Sequence, residues 1–265
     1  MCLDRPRDPL PTSVDACPPL PTEYHDSLDR ALGALGLILD PGVRQAIDGH
    51  VRLLVAWNAA INLTSVRDPA QIAIRHVADS LTAVGPLQQA EVDAILDLGS
   101  GGGFPGLPLA AAVPGVEALL VDSVGKKTQF LEVAVNAVGL ASRVRVGAVR
   151  AEALAADRRH RERWPAVTVR AVAPLAELVE LAFPLLVPGG LLIAWKSANA
   201  EAEQAAAGRA IDALGGGSIE VRRTGVDDAV LGELAGHCLV LVRRGGRAVA
   251  PAYPRDPAVR RRQPW

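Results

Sequence analysis

Cysteine is scarce in this chain. Cys2, Cys17 and Cys238 are odd in number and far apart. Such a set builds neither a disulfide framework nor the paired spacing of a zinc site, which leaves reduced thiols and a cytoplasmic location as the expectation. Aromatic residues are only 3% of the chain, so its core must be assembled from Leu, Val, Ile and Ala. Long apolar runs are missing. The most apolar stretch, from Leu178 to Trp195, is broken by Glu180, Pro184, Pro188 and two glycines, so no membrane span is expected. The opening Met-Cys-Leu-Asp-Arg-Pro lacks the apolar centre of a secretory signal. An excess of charge of one sign is also missing. A formal charge of −1 excludes a polycation and confines any nucleic-acid contact to local patches. Lysine is nearly absent, with Lys126, Lys127 and Lys196 alone, so arginine carries the positive charge.

What is present is a globular composition, 49% hydrophobic over 265 residues, enough for one large core with an N-terminal elaboration. Residues 1–22 hold six prolines and little periodicity, and read as a disordered extension. Residues 23–90 read as a helical segment. In it Val43, Ile47, Val51, Leu54 and Ile61 recur at helical spacing, and Asp68-Pro69 starts a second helix expected to stop at Gly85-Pro86. Residues 91–250 alternate strand and helix, with strands expected near 94–98, 117–121, 143–146, 166–170, 191–195, 219–222 and 237–242. Alternation of this kind predicts an α/β fold: a mostly parallel seven-stranded sheet with helices on both faces. The last two strands lack an intervening helix, so one of them is expected to run antiparallel. Residues 251–265 read as a basic tail.

The most informative run is Ala94-Ile95-Leu96-Asp97-Leu98-Gly99-Ser100-Gly101-Gly102-Gly103-Phe104-Pro105-Gly106, a short strand, a glycine-packed turn and the start of a helix. That sequence of elements brings bare backbone against a cofactor. Its glycines also fit the dinucleotide pattern G-x-G-x-x-G, so an NAD-dependent oxidoreductase is one reading. Asp97 tips the reading to S-adenosylmethionine, because a carboxylate suits the cationic end of that molecule and would repel a pyrophosphate.

In such a sheet, ligands sit beyond the carboxyl ends of the strands. The polar residues expected there are Asp97, Gly99, Asp122, Glu152, Arg170 and Lys196. Asp122, 23 residues past Gly99, can accept the ribose hydroxyls of an adenosine, and Ala151-Glu152 can face the adenine. Arg170 and Lys196 are each either a substrate contact or half of a structural ion pair. On the helix after Asp68, His76, Asp79 and Ser80 share a face. Three residues of one helix cannot form a nucleophilic triad, so a cluster packing that helix over the glycine loop is expected, and no metal site. Two basic groups, Arg158, Arg159, Arg161 and Arg163, and the tail's Arg260, Arg261 and Arg262, are either solvated faces or grips on an RNA backbone.

These pieces occur in a telling order: Asn62-Leu63-Thr64-Ser65, Arg75-His76-x-x-Asp79-Ser80, the glycine run, Leu120-Val121-Asp122-Ser123-Val124-Gly125-Lys126-Lys127, then Val169-Arg170-Ala171. From about residue 25 onward the chain resembles the bacterial small-subunit ribosomal RNA guanine-N7 methyltransferase G family, also called glucose-inhibited division protein B. The resemblance implies a Rossmann-like class I methyltransferase fold and S-adenosylmethionine as cofactor. It implies 16S rRNA as substrate, with N7 of one guanine as acceptor. Carried over residue by residue, it places cofactor contacts on Gly99, Phe104, Ala151, Glu152 and Arg170. It has no counterpart for the proline-rich extension, and Ser197 stands where the family often has glycine. The competing readings are a methyltransferase for a non-RNA acceptor, the oxidoreductase above, and an RNA-binding module without catalysis.

Overall fold

Alternate residues of the central strands point to opposite faces of the sheet, and both sets are apolar. Ile95, Ile193, Leu239 and Leu241 join one core, while Leu96, Leu192, Ala194, Val240 and Val242 join the other. A strand that is apolar on both faces must be covered on both, which is why the runs read as continuous rather than alternating. The computed structural model describes residues 9–170, 173–197, 200–223, 232–234 and 236–265. Among them seven strands form one sheet: β1 (Ala94–Leu98), β2 (Glu117–Asp122), β3 (Val144–Ala148), β4 (Trp164–Arg170), β5 (Leu186–Lys196), β6 (Gly217–Arg223) and β7 (Cys238–Arg244). Their order is β3-β2-β1-β4-β5-β7-β6. Only β7 runs against its neighbours, as expected of one of the last two strands. β5 begins at Leu186 and so takes in Pro188-Gly189-Gly190, whose composition suggests a turn ahead of the strand.

The first face is covered by α1 (Thr22–Leu35), α2 (Pro41–Ile61), α3, α4 (Val84–Gln89), α5 (Gly106–Ala112) and α6 (Gly125–Ala137). α3 runs from Pro69 to Leu81, with a π-helical segment, Ala73–Ala78, in its middle. The other face carries α7 (Ala151–Ala156), α8 (Leu175–Ala182) and α9 (Ala200–Ala213). A last helix, α10 (Pro257–Arg262), follows β7. The N-terminal helices share their core with the sheet: Tyr24, Leu28, Ile47 and Trp57 are buried in the cluster that holds Ile95 and Ile193.

Two sequence expectations are corrected. Residues 9–21 are packed, not disordered; residues 1–8, and the first two of the helix expected from Ala198, lie outside the described residues. A proline-rich segment offers carbonyls and few amides, and α2 supplies the missing donors. Trp57 Nε1 donates to the Pro11 carbonyl at 2.8 Å, and Arg52 Nε to that of Pro18 at 2.9 Å. Gly49 of α2 makes room for this contact: a Cβ there would lie 2.9 Å from Val14. The second correction is at Gly85-Pro86, which does not stop a helix but forms the first turn of α4, where a proline loses no hydrogen bond. The Asp68 start holds, its side chain accepting from the Ala70 amide at 2.8 Å.

β1 lies between β2 and β4, and Leu98 at its end pairs with Val121 on one side and Val169 on the other. The connection after β1 leads to β2 and the connection after β4 leads to β5, on opposite sides, which opens a crevice at the carboxyl edge.

Candidate functional site

The crevice is a cleft of about 580 Å³, within the range of small-molecule sites. Gly99, Asp122, Ala151, Glu152 and Arg170 all line it. The loop after β1 takes its shape from positive backbone angles at Gly99 (φ 73°), Gly101 (φ 56°) and Gly103 (φ 89°), where side chains would be strained. Amides of Gly99 and Ser100 both donate to the Val121 carbonyl at 2.9 Å, tying the loop to β2. The Asp122 carboxylate accepts from the Gly101 amide at 3.0 Å and from the Val124 amide at 2.9 Å. It therefore braces the loop while facing the cleft.

Asp97 is not in the cleft. It is fully buried; one oxygen accepts from the Thr168 hydroxyl at 2.7 Å and the other from the Gly106 amide at 3.2 Å. Burial pushes its carboxyl pKa up, against those hydrogen bonds. Asp97 shares a strand face with Ile95 and lies beneath the start of α5, so its carboxylate does not discriminate between cofactors. Phe104 also lies below the lining. Its ring is 4.6 Å from that of His50 and stacks on His76 at 5.0 Å, with the Arg170 guanidinium 5.5 Å above its centre.

Arg170 is held at the cleft by the Arg75 carbonyl at 3.0 Å and Asp79 at 3.2 Å. Of the two ion-pair partners expected for it, Asp97 and Asp122, neither is the one found. Asp79 also accepts from His237 Nδ1 at 3.3 Å, and its carbonyl from Trp195 Nε1 at 2.8 Å. His76 lies 2.6 Å from the Thr64 hydroxyl. Burial holds both His50 and His76 down to a pKa of about 4, so both imidazoles are neutral near pH 7. His50 Nε2 donates to the Gly102 carbonyl at 2.7 Å, from under the loop. The α3 cluster thus packs against the glycine loop, as its spacing implied, and the π-helical segment carries Arg75 and His76 there. Lys196 is outside the lining and turns to Glu203 at 2.8 Å and to the carbonyl of Ala173, a lining residue, at 3.0 Å.

The basic groups divide. Arg158, Arg159, Arg163, Arg261 and Arg262 are exposed. Arg161 donates to the carbonyls of Ala155, Tyr253, Val249 and Ala250 at 3.0–3.1 Å and fastens the tail, so it is corrected from RNA contact to structural residue. Arg260 is corrected likewise: it is 8% exposed, lines the cleft, and pairs with Glu152 and Glu177. No spacing or motif signals those partners, nor His50, Thr168 or the acids of α8. No group of three His, Cys, Asp or Glu among the described residues is placed to hold a metal, and none of the described helices is long and apolar enough to cross a membrane.

The cleft fits an adenosyl group. Leu98, Val121 and Val169 offer an apolar floor, Gly99 offers bare backbone, and Asp122 and Glu152 offer acceptors for hydroxyl and amino donors. The model of a family described as rRNA small subunit methyltransferase G matches residues 44–227. A protein of that name from Desulfitobacterium hafniense is 37% identical over 76% of this chain and 81% of its own length. Another from Symbiobacterium thermophilum is 34% identical over 92% of this chain and 98% of its own. The crystal structure of an O-methyltransferase from Bacillus cereus with S-adenosylhomocysteine superposes with a TM-score of 0.53 at 16% identity, over 82% of this chain and 96% of that one. The fold is thus that of class I S-adenosylmethionine-dependent methyltransferases, and the dinucleotide reading of the glycine run is set aside on that ground.

Proposed function

The chain belongs to the rRNA small subunit methyltransferase G family, and from that premise we propose that it transfers the methyl group of S-adenosylmethionine to N7 of a guanine in 16S rRNA. The observation that carries this reading is the convergence of Gly99, Asp122, Glu152 and Arg170 on one cleft at the carboxyl edge of the sheet. S-adenosylmethionine supplies a methyl on a positively charged sulfur that departs as a neutral thioether.

The protein's residues bind and align. Gly99 lets backbone approach the ligand, Asp122 is suited to the ribose hydroxyls and Glu152 to the adenine amino edge. Arg170, fixed by Asp79 and the Phe104 ring, is suited to the carboxylate of the methionine end. N7 of guanine has a lone pair and no proton to lose. In-line displacement at the methyl then needs alignment and no general base. That fits a cleft whose neighbouring imidazole, His76, is already engaged with Thr64. N7 lies on the Hoogsteen edge, so an unstacked base in a single-stranded RNA loop is the substrate form. Small subunits in a cytoplasmic setting are where such RNA is met.

The test is methyl transfer from labelled S-adenosylmethionine onto small-subunit RNA from cells lacking the gene, with the modified base mapped. The expected product is N7-methylguanine at one 16S position. Label resisting nuclease, or found on protein, would overturn the RNA reading and favour another acceptor.

A further inference from the structure

Two glutamates of the cleft wall, Glu152 of α7 and Glu177 of α8, meet one guanidinium. Arg260 Nη2 donates to Glu152 Oε1 at 2.5 Å, and its Nε donates to Glu177 Oε1 at 3.1 Å. Its Nη1 donates to the Arg255 carbonyl at 2.7 Å. Its side chain is 7% exposed, so this cation is fully engaged inside the cleft wall and is not presented to a phosphate.

Arg260 is not alone in fastening the tail. Arg255 makes a forked pair with the fully buried Glu180, at 2.6–3.1 Å, and lies 4.5 Å over the Trp265 ring. Trp265 Nε1 donates to the same carboxylate at 2.6 Å. Asp256 caps α10 through the Ala258 amide at 2.7 Å. The tail thus has anchors besides Arg260, whose two glutamate partners line the cleft.

Glu152 needs such a partner. It is a three-rotor side chain, 24% exposed, with a second carboxylate on the same guanidinium. Without the cation the two acids would repel, and Glu152 would swing to water. With one oxygen fixed by Arg260, the other is left to accept from a ligand in the cleft that Glu152 lines. A carboxylate accepts and never donates, which matches the 6-amino group of adenine.

We propose that Arg260 is a positioning residue that holds Glu152 for recognition of the 6-amino group of the cofactor's adenine, an inference that rests on the adenosyl reading of the cleft. The tail thereby contributes to cofactor discrimination across 108 residues of sequence.

The test is calorimetric binding of S-adenosylhomocysteine and of its purine analogue lacking the 6-amino group, on the full chain. The parent is expected to prefer S-adenosylhomocysteine by about tenfold or more, the scale of one charged hydrogen bond. Arg260→Met, which keeps the bulk, should lose most of that preference by weakening S-adenosylhomocysteine alone. Arg260→Lys keeps the charge without the fork and should fall between. Thermal melting identifies which variants are folded. A parental preference in either folded variant overturns the proposal, and so does equal weakening of both ligands, which would mark mere packing. Glu152→Gln separates the layers. If it keeps the parental preference, Glu152 does not read adenine and the proposal falls with that assignment. A parent that binds neither ligand sinks the adenosyl reading itself.

Discussion

On the glycine-loop side of the cleft, the Asp122 carboxylate is held by backbone amides; on the tail side carboxylates are held by arginines. Asp122 accepts from the amides of Gly101 and Val124, neither more than 21 residues away, while beneath the loop Asp97 accepts from the Gly106 amide and the Thr168 hydroxyl. Glu152, Glu177 and Glu180 depend on Arg260 and Arg255, which lie 75 to 108 residues along the chain. Amides are fixed once the loop adopts its backbone shape, so the first wall comes with the fold. The second exists only when the tail is docked, and it can be altered without dismantling the sheet.

The sharpest way to break this contrast is Gly106→Ala. A Cβ there would collide with Leu120 Cδ2 and lie 2.7 Å from Asp97 Oδ2, with no flexible surface group to yield. Overpacking at such a site is expected to cost about 3 kcal/mol in urea unfolding. A cost under about 1 kcal/mol would mean the loop wall adapts, and the distinction between the walls would dissolve.

Acid separates the walls almost as strongly. Burial lowers the His50 pKa from 6.5 to about 4, so the unfolded chain takes up a proton before the folded one does. The stability His50 carries is whole above pH 6.5 and drains away as the pH falls toward 4, on the order of 3 kcal/mol. Glu180 is desolvated, yet bonds from Arg255 and Trp265 hold its pKa below the ordinary value of 4.5. Its contribution is present above 4.5 and is lost only beneath that. Hydrogen exchange at about pH 5 should therefore show the Gly102 region loosened while the α8–tail contact stays protected. Removing the imidazole, as in His50→Phe, should make the pH dependence across this window shallower, with His76, also held down to about 4, supplying the rest. Unaltered dependence in that variant would move the effect elsewhere.

The same contrast explains what can be read from sequence. The loop wall is local, so the glycine run and Asp122 can be placed at one strand edge from spacing alone. Asp97 defeats the strand-end argument through strand parity: it shares a face with Ile95, beneath α5, while Leu98 points to the other core. The tail wall is non-local. Arg260-Arg261-Arg262 looks like a uniform basic run, but on a helix successive residues are about 100° apart, and one of the three turns inward. Asp256-Pro257 is a recognisable helix start, so the helix itself is legible. Its acidic partners on α7 and α8 are not, because no periodicity links residues so distant. Arg170 is legible from its strand end, whereas its partner Asp79 comes from α3, in the helical layer packed on the sheet face that holds Ile193 and Trp195, 91 residues away in sequence.

Asp122→Ala probes the loop wall from the ligand side. It removes a charged acceptor and also frees the Gly101 and Val124 amides. S-adenosylhomocysteine affinity should weaken by about 1–3 kcal/mol. The Michaelis constant for S-adenosylmethionine should rise more than turnover falls. A pure turnover defect with normal affinity would take Asp122 away from the ribose and leave it as a loop brace only.

The smallest effect concerns the arginines themselves, which divide as the carboxylates do. Arg161 and Arg260 are engaged with carbonyls and glutamates, whereas Arg158, Arg159, Arg163, Arg261 and Arg262 are exposed. Arg159 is paired with Asp157, but its side chain is 84% exposed, so water screens that pair heavily. If the exposed set meets phosphate, reversing Arg261 and Arg262 to glutamate should flatten the salt dependence of rRNA binding. The slope should change by about 0.7–0.9 for each phosphate no longer neutralised, on logarithmic axes of affinity and salt. Binding of S-adenosylhomocysteine should stay as it was, because neither side chain enters the cleft wall. Including Arg260 in the reversal would spoil the test, since its removal unseats Glu152 and weakens the cofactor for reasons unrelated to RNA. Reversal of Arg158 and Arg163 is the matching test on the other group, with Arg161 left in place so that the tail remains fastened. An unchanged salt slope in both variants would make these arginines a solvated surface and put the RNA contact on another face of the molecule.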